Sequence, residues 1–495
     1  MRPSSAYKSI AKGAALFGGV QVFSLLVNLL RGKFVALLLG TEGMGVASLL
    51  TAAANTIQQF SSLGLNLSIV KEVSQAREAA DDTALRTVMR AAHRLLRLTA
   101  CLGALFALLF AVPLSRWTFG TPDYAWHFAG LSVFVLLTTL SNGELSILQG
   151  VHALKKLALA SVVGSLTGLL VGVPLYYFFG QAGIVPAMVA LALSLWVFYA
   201  WQRRKAVAQA ETGPTRPLRP VARRMVSLGL AMMASALLGT LATYLFTAFV
   251  GRSGSLQDVG LIQAAQSITT QYSGLVFAAI AMDFMPRLSA ISLHASRMRR
   301  LVNQQTELMV LAVAPLVLAV MLTAPWIIRV LLTEAFLPLV PVVRVMAAGI
   351  FFKAITFPMG YISFAKGDKR TFFWLEGVGS NVLYLGLNCL GYHYGGIVGV
   401  GLAFALTHFL YIGIYVVVTR RLYRFRHNRV GARLCLCLSL PVLAGLGLGF
   451  LSDAWLSYGL LAVLTAGTAA FCVRELDARL GLWHLLKQKL KARTS

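Results

Sequence analysis

Charge is what this sequence has least of. Only 12% of its 495 residues are Asp, Glu, Lys or Arg, about half the share of a soluble globular protein, and that excludes an ordinary soluble enzyme. Acidic residues are the scarcer kind, 17 against 44 Lys and Arg. Cysteine is sparse as well. Cys101, Cys389, Cys435, Cys437 and Cys472 all lie in apolar segments with no CxxC pair and no His at ligand spacing. They read as small core hydrophobes, not as a metal site or disulfide framework. There is no GxxxxGK[ST] nucleotide loop, no HExxH and no GxSxG. The loops are too short to house the catalytic site of a glycosyltransferase, ligase or polymerase, and Gly43-Met44-Gly45 is a turn between apolar stretches. The expectation is no catalytic residue, no bound metal and no cofactor or ATP site, with H⁺ or Na⁺ open as a coupling ion.

What the chain has in abundance is apolar sequence: 58% hydrophobic residues and a mean hydropathy of +0.74. Stretches of about 20 apolar residues are long enough to cross a bilayer. About fourteen occur, near 11–39, 43–69, 93–114, 125–149, 156–178, 182–201, 225–250, 258–284, 304–324, 338–364, 371–391, 395–419, 434–451 and 456–473. The first runs on past Arg31 and Lys33 without a cleavage site after a short apolar core, unlike a removable signal peptide. The fold class is all-α, a polytopic membrane protein.

A net charge of +27 in a soluble protein would suggest a nucleic-acid partner. Here the charges alternate with the spans. With the amino terminus inside, cytoplasmic segments hold 36 of the 44 Lys and Arg, and the outer loops hold only Arg116 and Arg252. That asymmetry is the positive-inside signal, so both termini are expected to be cytoplasmic and no nucleic acid is called for.

The longest polar interruption, 202–224, contains Pro214, Pro217 and Pro220, which prevent a continuous helix. It divides the chain into an N-lobe (1–201, six spans), a basic linker (202–224), a C-lobe (225–420, six spans), two further spans (421–473) and a basic amphipathic tail (474–495). The sixes look like parallel repeats. Gly150 matches Gly367, and Gly183-Ile184-Val185 matches Gly396-Ile397-Val398. Residues 43–74 align on 258–289 with Gly45/Gly260 and Ser74/Ser289 identical. Such repeats typically place a substrate site between two lobes.

Polar residues recur inside spans at helical spacing: Gln21, Ser24, Asn28 and Arg31; Thr51, Asn55, Gln58 and Ser62; Gln263, Gln266, Thr270 and Ser273; Glu376, Ser380, Tyr384 and Asn388. Hydrocarbon penalises such stripes, so each is expected to face a neighbouring helix or a wet cavity. Intramembrane cations are costlier, at about 2.5–3.5 kcal/mol each at the bilayer centre. Arg31 lies nine residues from the outer end of its span, about 13 Å of helix, and Lys353 is similarly deep. Lys33 and Arg344 have snorkelling as an alternative. Arg31, Lys33, Arg252 and Lys353, with Asn28, Asn55, Gln58, Gln263 and Gln266, form the candidate substrate-binding set, since guanidinium groups suit a diphosphate. The span carboxylates Glu144, Asp283 and Glu376 are candidates either for bridges to nearby Lys and Arg or for ion coupling and gating.

The opening pattern Leu39-Gly40-Thr41-Glu42-Gly43-Met44-Gly45, followed by Leu63-Gly64-Leu65 and Ile69-Val70, resembles the polysaccharide/O-antigen flippases. These belong to the multidrug/oligosaccharidyl-lipid/polysaccharide exporter superfamily. Phe284-Met285-Pro286-Arg287-Leu288-Ser289, Gln149-Gly150 and Gly183-Ile184-Val185 are similar to that superfamily's pattern, and the likeness covers about residues 8–420. The resemblance implies two six-helix lobes around a central cavity lined by spans 1, 2, 7 and 8, working by alternating access in the bacterial inner membrane. It implies a polyprenyl-diphosphate-linked oligosaccharide as cargo, moved from inner to outer leaflet, with Arg31 meeting the diphosphate. Membrane lipid and the glycan polymerase and transferases of surface-glycan synthesis would be partners. Fourteen spans are also found in lipid II flippases, and a lipid II flippase is the alternative within the flippase reading. A multidrug cation antiporter is the alternative within transport, and a membrane-embedded glycan polymerase or ligase the alternative outside it.

Overall fold

The computed structural model describes residues 5–79, 81–207, 214–291, 294–451 and 454–480; within these, some side chains, among them those of Gln21 and Asp283, lie outside the described set. Every regular element described is helical. Helix contacts divide the chain into two units: Met1–Gly260 with Leu331–Thr333, and Leu261–Val330 with Glu334–Ser495.

In the first unit α1 (Ser5–Ser61) runs through two apolar stretches and is broken at Gly40 (φ 66°, ψ −165°). No Cβ is needed to see why Gly sits there: a positive φ is strained for any L side chain. The second stretch ends earlier than its hydropathy suggests. Residues 43–69 read as one span, but Leu63 (φ 49°) and Gly64 (φ 63°) break the helix, and α2 (Leu65–Glu78) starts afresh. The cause is a close backbone approach, since a Cβ on Gly64 would fall 2.2 Å from the Gly229 carbonyl oxygen. The chain continues through α3 (Asp82–Leu109), α4 (Ala111–Phe119), α5 (Ala125–Gly150), α6 (Leu154–Phe179), α7 (Ile184–Val207) and α8 (Leu218–Ser253). As the prolines predict, residues 214–217 are irregular, and α8 begins just after Pro217. The rest of the linker, 208–213, lies outside the described residues.

The second unit holds most of α9 (Leu256–Ala290), then α10 (Ala295–Leu331), α11 (Val340–Ala365), the short α12 (Lys369–Phe372), a π-helical stretch (Phe373–Gly379), α13 (Ser380–Tyr423), α14 (Arg429–Leu448) and α15 (Ala454–Leu480). Two polar ties fasten α14 and α15 to α10. At one end Glu307 accepts from Asn428 Nδ2 (2.9 Å) and pairs with Arg479 Nε (3.2 Å). At the other end Arg344, which is 6% exposed, donates to the Met321 carbonyl (3.1 Å) and the Gly449 carbonyl. Arg344 therefore does not snorkel; its guanidinium donates to one carbonyl inside α10 and to one at the end of α14. The amphipathic tail expected over 474–495 is described only to residue 480, where α15 ends.

Nine helical stretches among the described residues are long and apolar enough to cross a membrane, several of them containing a kink. Their outward faces are apolar: Leu170, Leu436, Leu440 and Val463 are each about 70% exposed, a surface that water would penalise and lipid would not. Trp126, Tyr177 and Trp455 are exposed near helix ends, where interfacial aromatics anchor membrane proteins. Cys101 and Cys437 share this outer surface, and only Cys472 of the five cysteines is buried. The protein is an all-α polytopic membrane protein.

The repeat is visible in the backbone, in a register shifted by one helical turn from the sequence match. Gly180 (φ 55°, ψ −130°) and Gly396 (φ 55°, ψ −142°) make the same turn. Three residues on, a Cβ at Gly183 would meet the Leu175 carbonyl oxygen at 2.2 Å and one at Gly399 would meet the Gly391 oxygen at 1.9 Å. Gly180 is thus the counterpart of Gly396, and Gly183 of Gly399. Likewise the left-handed residue closing α5 is His152 (φ 57°), whereas the one closing α11 is Gly367 (φ 69°). Backbone geometry, not residue identity, carries the equivalence.

Candidate functional site

The candidate residues fall in both units. In the first, Arg31 is half-buried on α1, within electrostatic reach of Tyr176 on α6. No described carboxylate pairs with it or with Lys33. Asn28 and Asn55 are exposed, Gln58 is half-buried, and Arg252 is exposed in the last turn of α8. Glu144 is 6% exposed and held between Arg203 Nε (2.5 Å) and His93 Nε2 (3.2 Å), so of its two open roles the geometry carries the ion-pair bridge. The side chain of Asp283 lies outside the described residues.

In the second unit the structure brings three candidates towards one cavity of about 600 Å³. Lys353 (α11) and Glu376 (π stretch) both line it, together with His408 and Tyr411 of α13 and the aromatic rings of Phe357 and Tyr361 on α11. The Lys353 ammonium sits 5.7 Å from the centre of the Phe277 ring, near enough for a cation–π contact. Gln266 Nε2 donates to the Tyr384 hydroxyl (3.4 Å), which places α9 beside the same wall. Gln263 lies one turn earlier on α9 and is half-buried.

The cavity owes its shape to two backbone features. Residues 373–379 are π-helical, a widening common at functional sites, and it carries Glu376. Opposite, Gly360 leaves room for that carboxylate: a Cβ there would stand 2.9 Å from Glu376 Oε1 and 3.1 Å from the Tyr415 hydroxyl. Sequence reasoning singled out Lys353, Glu376 and Tyr384 but not His408, Tyr411 and Tyr415. The signal was present, since Thr407, Tyr411 and Tyr415 recur every four residues, one helix face.

One polar stripe faces the cavity, through Glu376, Ser380 and Tyr384, and Ser62, Ser273 and Asn388 of the stripes are buried in the protein, as expected. Thr270 donates to the Gln266 carbonyl (2.6 Å), Ser273 to Thr269 (2.9 Å), Ser62 to Gln59 (3.1 Å) and Ser380 to Glu376. Each hydroxyl also bonds to its own helix, which lowers the cost of taking it out of water. The Gln266–Tyr384 bond runs between helices. Among the described residues no cluster of His, Cys, Asp and Glu is arranged to hold a metal ion.

With this geometry in hand, comparison with known proteins decides the family. The description "Polysaccharide biosynthesis protein" matches residues 34–341. The chain belongs to that polysaccharide biosynthesis family. Among curated relatives, the lipid III flippases of Escherichia coli (strain K12) and Shigella flexneri are each 22% identical over 378 residues, covering 74% of this chain and 88% of theirs. Among solved structures, the lipid II flippase MurJ in an inward closed conformation is similar with a TM-score of 0.70 at 14% identity, covering 95% of this chain and 99% of that one. An inward-facing multidrug resistance transporter of the MATE family, in the MOP superfamily, is similar with a TM-score of 0.69 at 16% identity, covering 81% and 94%. The family member described here thus has the fold of MOP-superfamily transporters and is a membrane transport protein, not an enzyme.

Proposed function

We propose that the protein is a flippase that carries a polyprenyl-diphosphate-linked oligosaccharide, an O-antigen or similar surface-glycan repeat unit, from the inner to the outer leaflet of the bacterial cytoplasmic membrane by alternating access. The observation that carries this reading is the similarity to lipid III flippases over 74% of the chain. In it both termini are cytoplasmic, the 202–224 linker joins two six-span lobes in sequence, and Arg31, which has no described carboxylate partner, receives the diphosphate through charge-assisted hydrogen bonds. Lys33, Arg252, Asn28, Asn55, Gln58, Gln263 and Gln266 supply further polar contacts for the sugar diphosphate. Lys353 and Glu376 serve as a coupled pair whose protonation or ion occupancy drives the cycle, with no ATP consumed. Glycan polymerase and transferases act before and after it on the same lipid.

A second reading, multidrug cation export, has one observation in its favour: the second unit's cavity combines a carboxylate, Glu376, with aromatic walls. Lys353 in the same cavity weighs against it, because an organic cation would have to share that carboxylate with a resident ammonium.

The test is a deletion strain whose lipid extract is quantified by mass spectrometry for polyprenyl-diphosphate oligosaccharides. Accumulation of one completed unit, cleared by the wild-type gene, supports the flippase and identifies its cargo. No accumulation with surface glycans intact overturns it in favour of efflux.

A further inference from the structure

The second unit carries an arginine basin that the proposed transport cycle does not use. Arg299 at the start of α10 and Arg420, Arg421, Arg424 and Arg426 at and just beyond the end of α13 surround a depression of about 770 Å³, and the remaining lining residue is Val417. No lining residue is a carboxylate, and no described acidic side chain pairs with any of the five. The first unit offers an instructive contrast. Its own basic depression, lined by Arg86, Arg90, Arg94 and Arg204 among others, contains Glu144 and His93 and so neutralises part of its charge internally.

The basin is built rather than accidental. Across the end of α13 burial alternates: Tyr423 and Phe425 are buried while Arg424 and Arg426 are exposed. Three hydrogen bonds fix this segment to α10: Arg299 Nη2 to the Arg424 carbonyl (3.3 Å), Asn303 Nδ2 to the Arg426 carbonyl (3.2 Å), and the Asn428 amide to Asn303 Oδ1 (3.0 Å). Asn303 is itself buried. Arg424 adopts a left-handed conformation (φ 52°), a strained choice for a non-glycine residue that persists only where the surroundings impose it. Five like charges held in one place by buried anchors repel one another, and a multivalent anion relieves that repulsion. Guanidinium forks match phosphate oxygens in particular.

The face of α13 leading away from the basin says what else the anion carries. Leu402, Leu406, Leu410 and Val417 are all 40% exposed or more and lie along the same side of the helix. An apolar track ending in an arginine basin matches an amphiphile with a phosphate head and acyl chains.

We propose that this basin is a binding site for the phosphate headgroup of an anionic membrane lipid, whose acyl chain lies along Leu410 and Val417. Shared phosphate chemistry makes a soluble phosphate the competing source. The test uses the purified full chain in detergent, with phosphatidylglycerol, phosphatidylcholine and inorganic pyrophosphate as probes at matched ionic strength, read by native mass spectrometry and thermal shift. Phosphatidylglycerol is expected to bind in preference to phosphatidylcholine, and the R424Q/R426Q variant to bind it about 30-fold more weakly. The R297Q/R300Q variant, which removes equal charge from the same helix region outside the basin, is expected to bind as wild type. Lysine replacements, R424K/R426K, keep the charge and are expected to recover only part of the affinity, which serves if the glutamine variant fails to fold. Equal binding by wild type and R424Q/R426Q, or equal loss in R297Q/R300Q, overturns the site. Pyrophosphate binding that is lost in R424Q/R426Q, without any preference for phosphatidylglycerol, overturns the lipid.

Discussion

Gly45 and Gly260 pack backbone against backbone. A Cβ on Gly45 would lie 1.8 Å from the Leu256 carbonyl oxygen, and one on Gly260 would lie 2.0 Å from that of Thr41 and 2.9 Å from the Gly45 amide nitrogen. These are the two glycines that align when residues 43–74 are laid on 258–289, so the repeat places matching small residues where α1 and the start of α9 touch. No rotamer change relieves a clash between a Cβ and a carbonyl. G45A or G260A is therefore expected to cost about 3 kcal/mol, the upper end for overpacking. The double variant should cost little more than either single one, because both separate the same helices. Thermal unfolding in detergent reads this directly, and additive losses would contradict the shared contact.

Lys353 and Glu376 share a cavity, and their charges offset one another. Both side chains are half-buried, and removing one leaves the other's charge less compensated, at a cost of about 1 kcal/mol. K353M and E376Q are each expected to lower stability more than the K353M/E376Q double variant. In transport assays all three should be inactive if the pair also couples the ion. A stable, active E376Q would remove Glu376 from the cycle.

Gly360 bears on the same carboxylate from the other side. G360A would drive a methyl group into Glu376 Oε1 and the Tyr415 hydroxyl, so transport should fall by about tenfold, the scale of a 1.4 kcal/mol perturbation, with expression unchanged. An unaffected rate would show that the carboxylate's position is unimportant.

Asp368, in the turn before α12, caps that helix. It accepts from the Thr371 amide (3.0 Å) and hydroxyl (2.7 Å) and from the Tyr423 hydroxyl (2.8 Å). These bonds, the Thr371 amide foremost, hold its carboxyl below the ordinary value of 3.8. A lowered carboxyl pKa means that the contribution is complete above about pH 4 and is lost as the pH falls through the folded-state value. D368A is expected to cost about 1 kcal/mol near neutrality and progressively less below pH 4. A difference between wild type and D368A that stays constant down to pH 2 would contradict the capping role.

The span pattern was legible because apolar runs of bilayer length have few other readings, and the irregular stretch 214–217 followed from proline's missing amide. Gly64 was less so: hydropathy runs straight through it, and the reason for the break, the carbonyl of Gly229, lies on another helix. The repeat register differs by a turn because Gly-Ile-Val draws the match, whereas the shared geometry is the positive-φ glycine, Gly180 in one copy and Gly396 in the other; in the preceding loop Gly367 has the non-glycine His152 as its counterpart. At the candidate site the charged residues Lys353 and Glu376 stood out against an apolar background. Nothing in the sequence marks residues 373–379 as π-helical, and His408 looks like any isolated histidine until α13 is folded against α11. Glu307, at the start of its span, escaped notice because its partners Asn428 and Arg479 are more than 100 residues away.

Arg31 is the residue on which the cargo assignment leans most. R31A is expected to lower flipping by at least tenfold with normal folding, and R31K to restore part of it, since an ammonium keeps the charge but not the planar fork. Wild-type flipping by R31A would remove the diphosphate contact from Arg31.

The most direct test of the whole account is translocation by the purified protein in proteoliposomes. A fluorescent polyprenyl-diphosphate oligosaccharide is placed in both leaflets, and its accessibility to a membrane-impermeant quencher or glycosidase is followed over time. The account predicts that wild type exposes the inner-leaflet pool while empty liposomes and R31A do not. Equal protection in protein-containing and empty liposomes, under an imposed H⁺ or Na⁺ gradient of either sign, would contradict it.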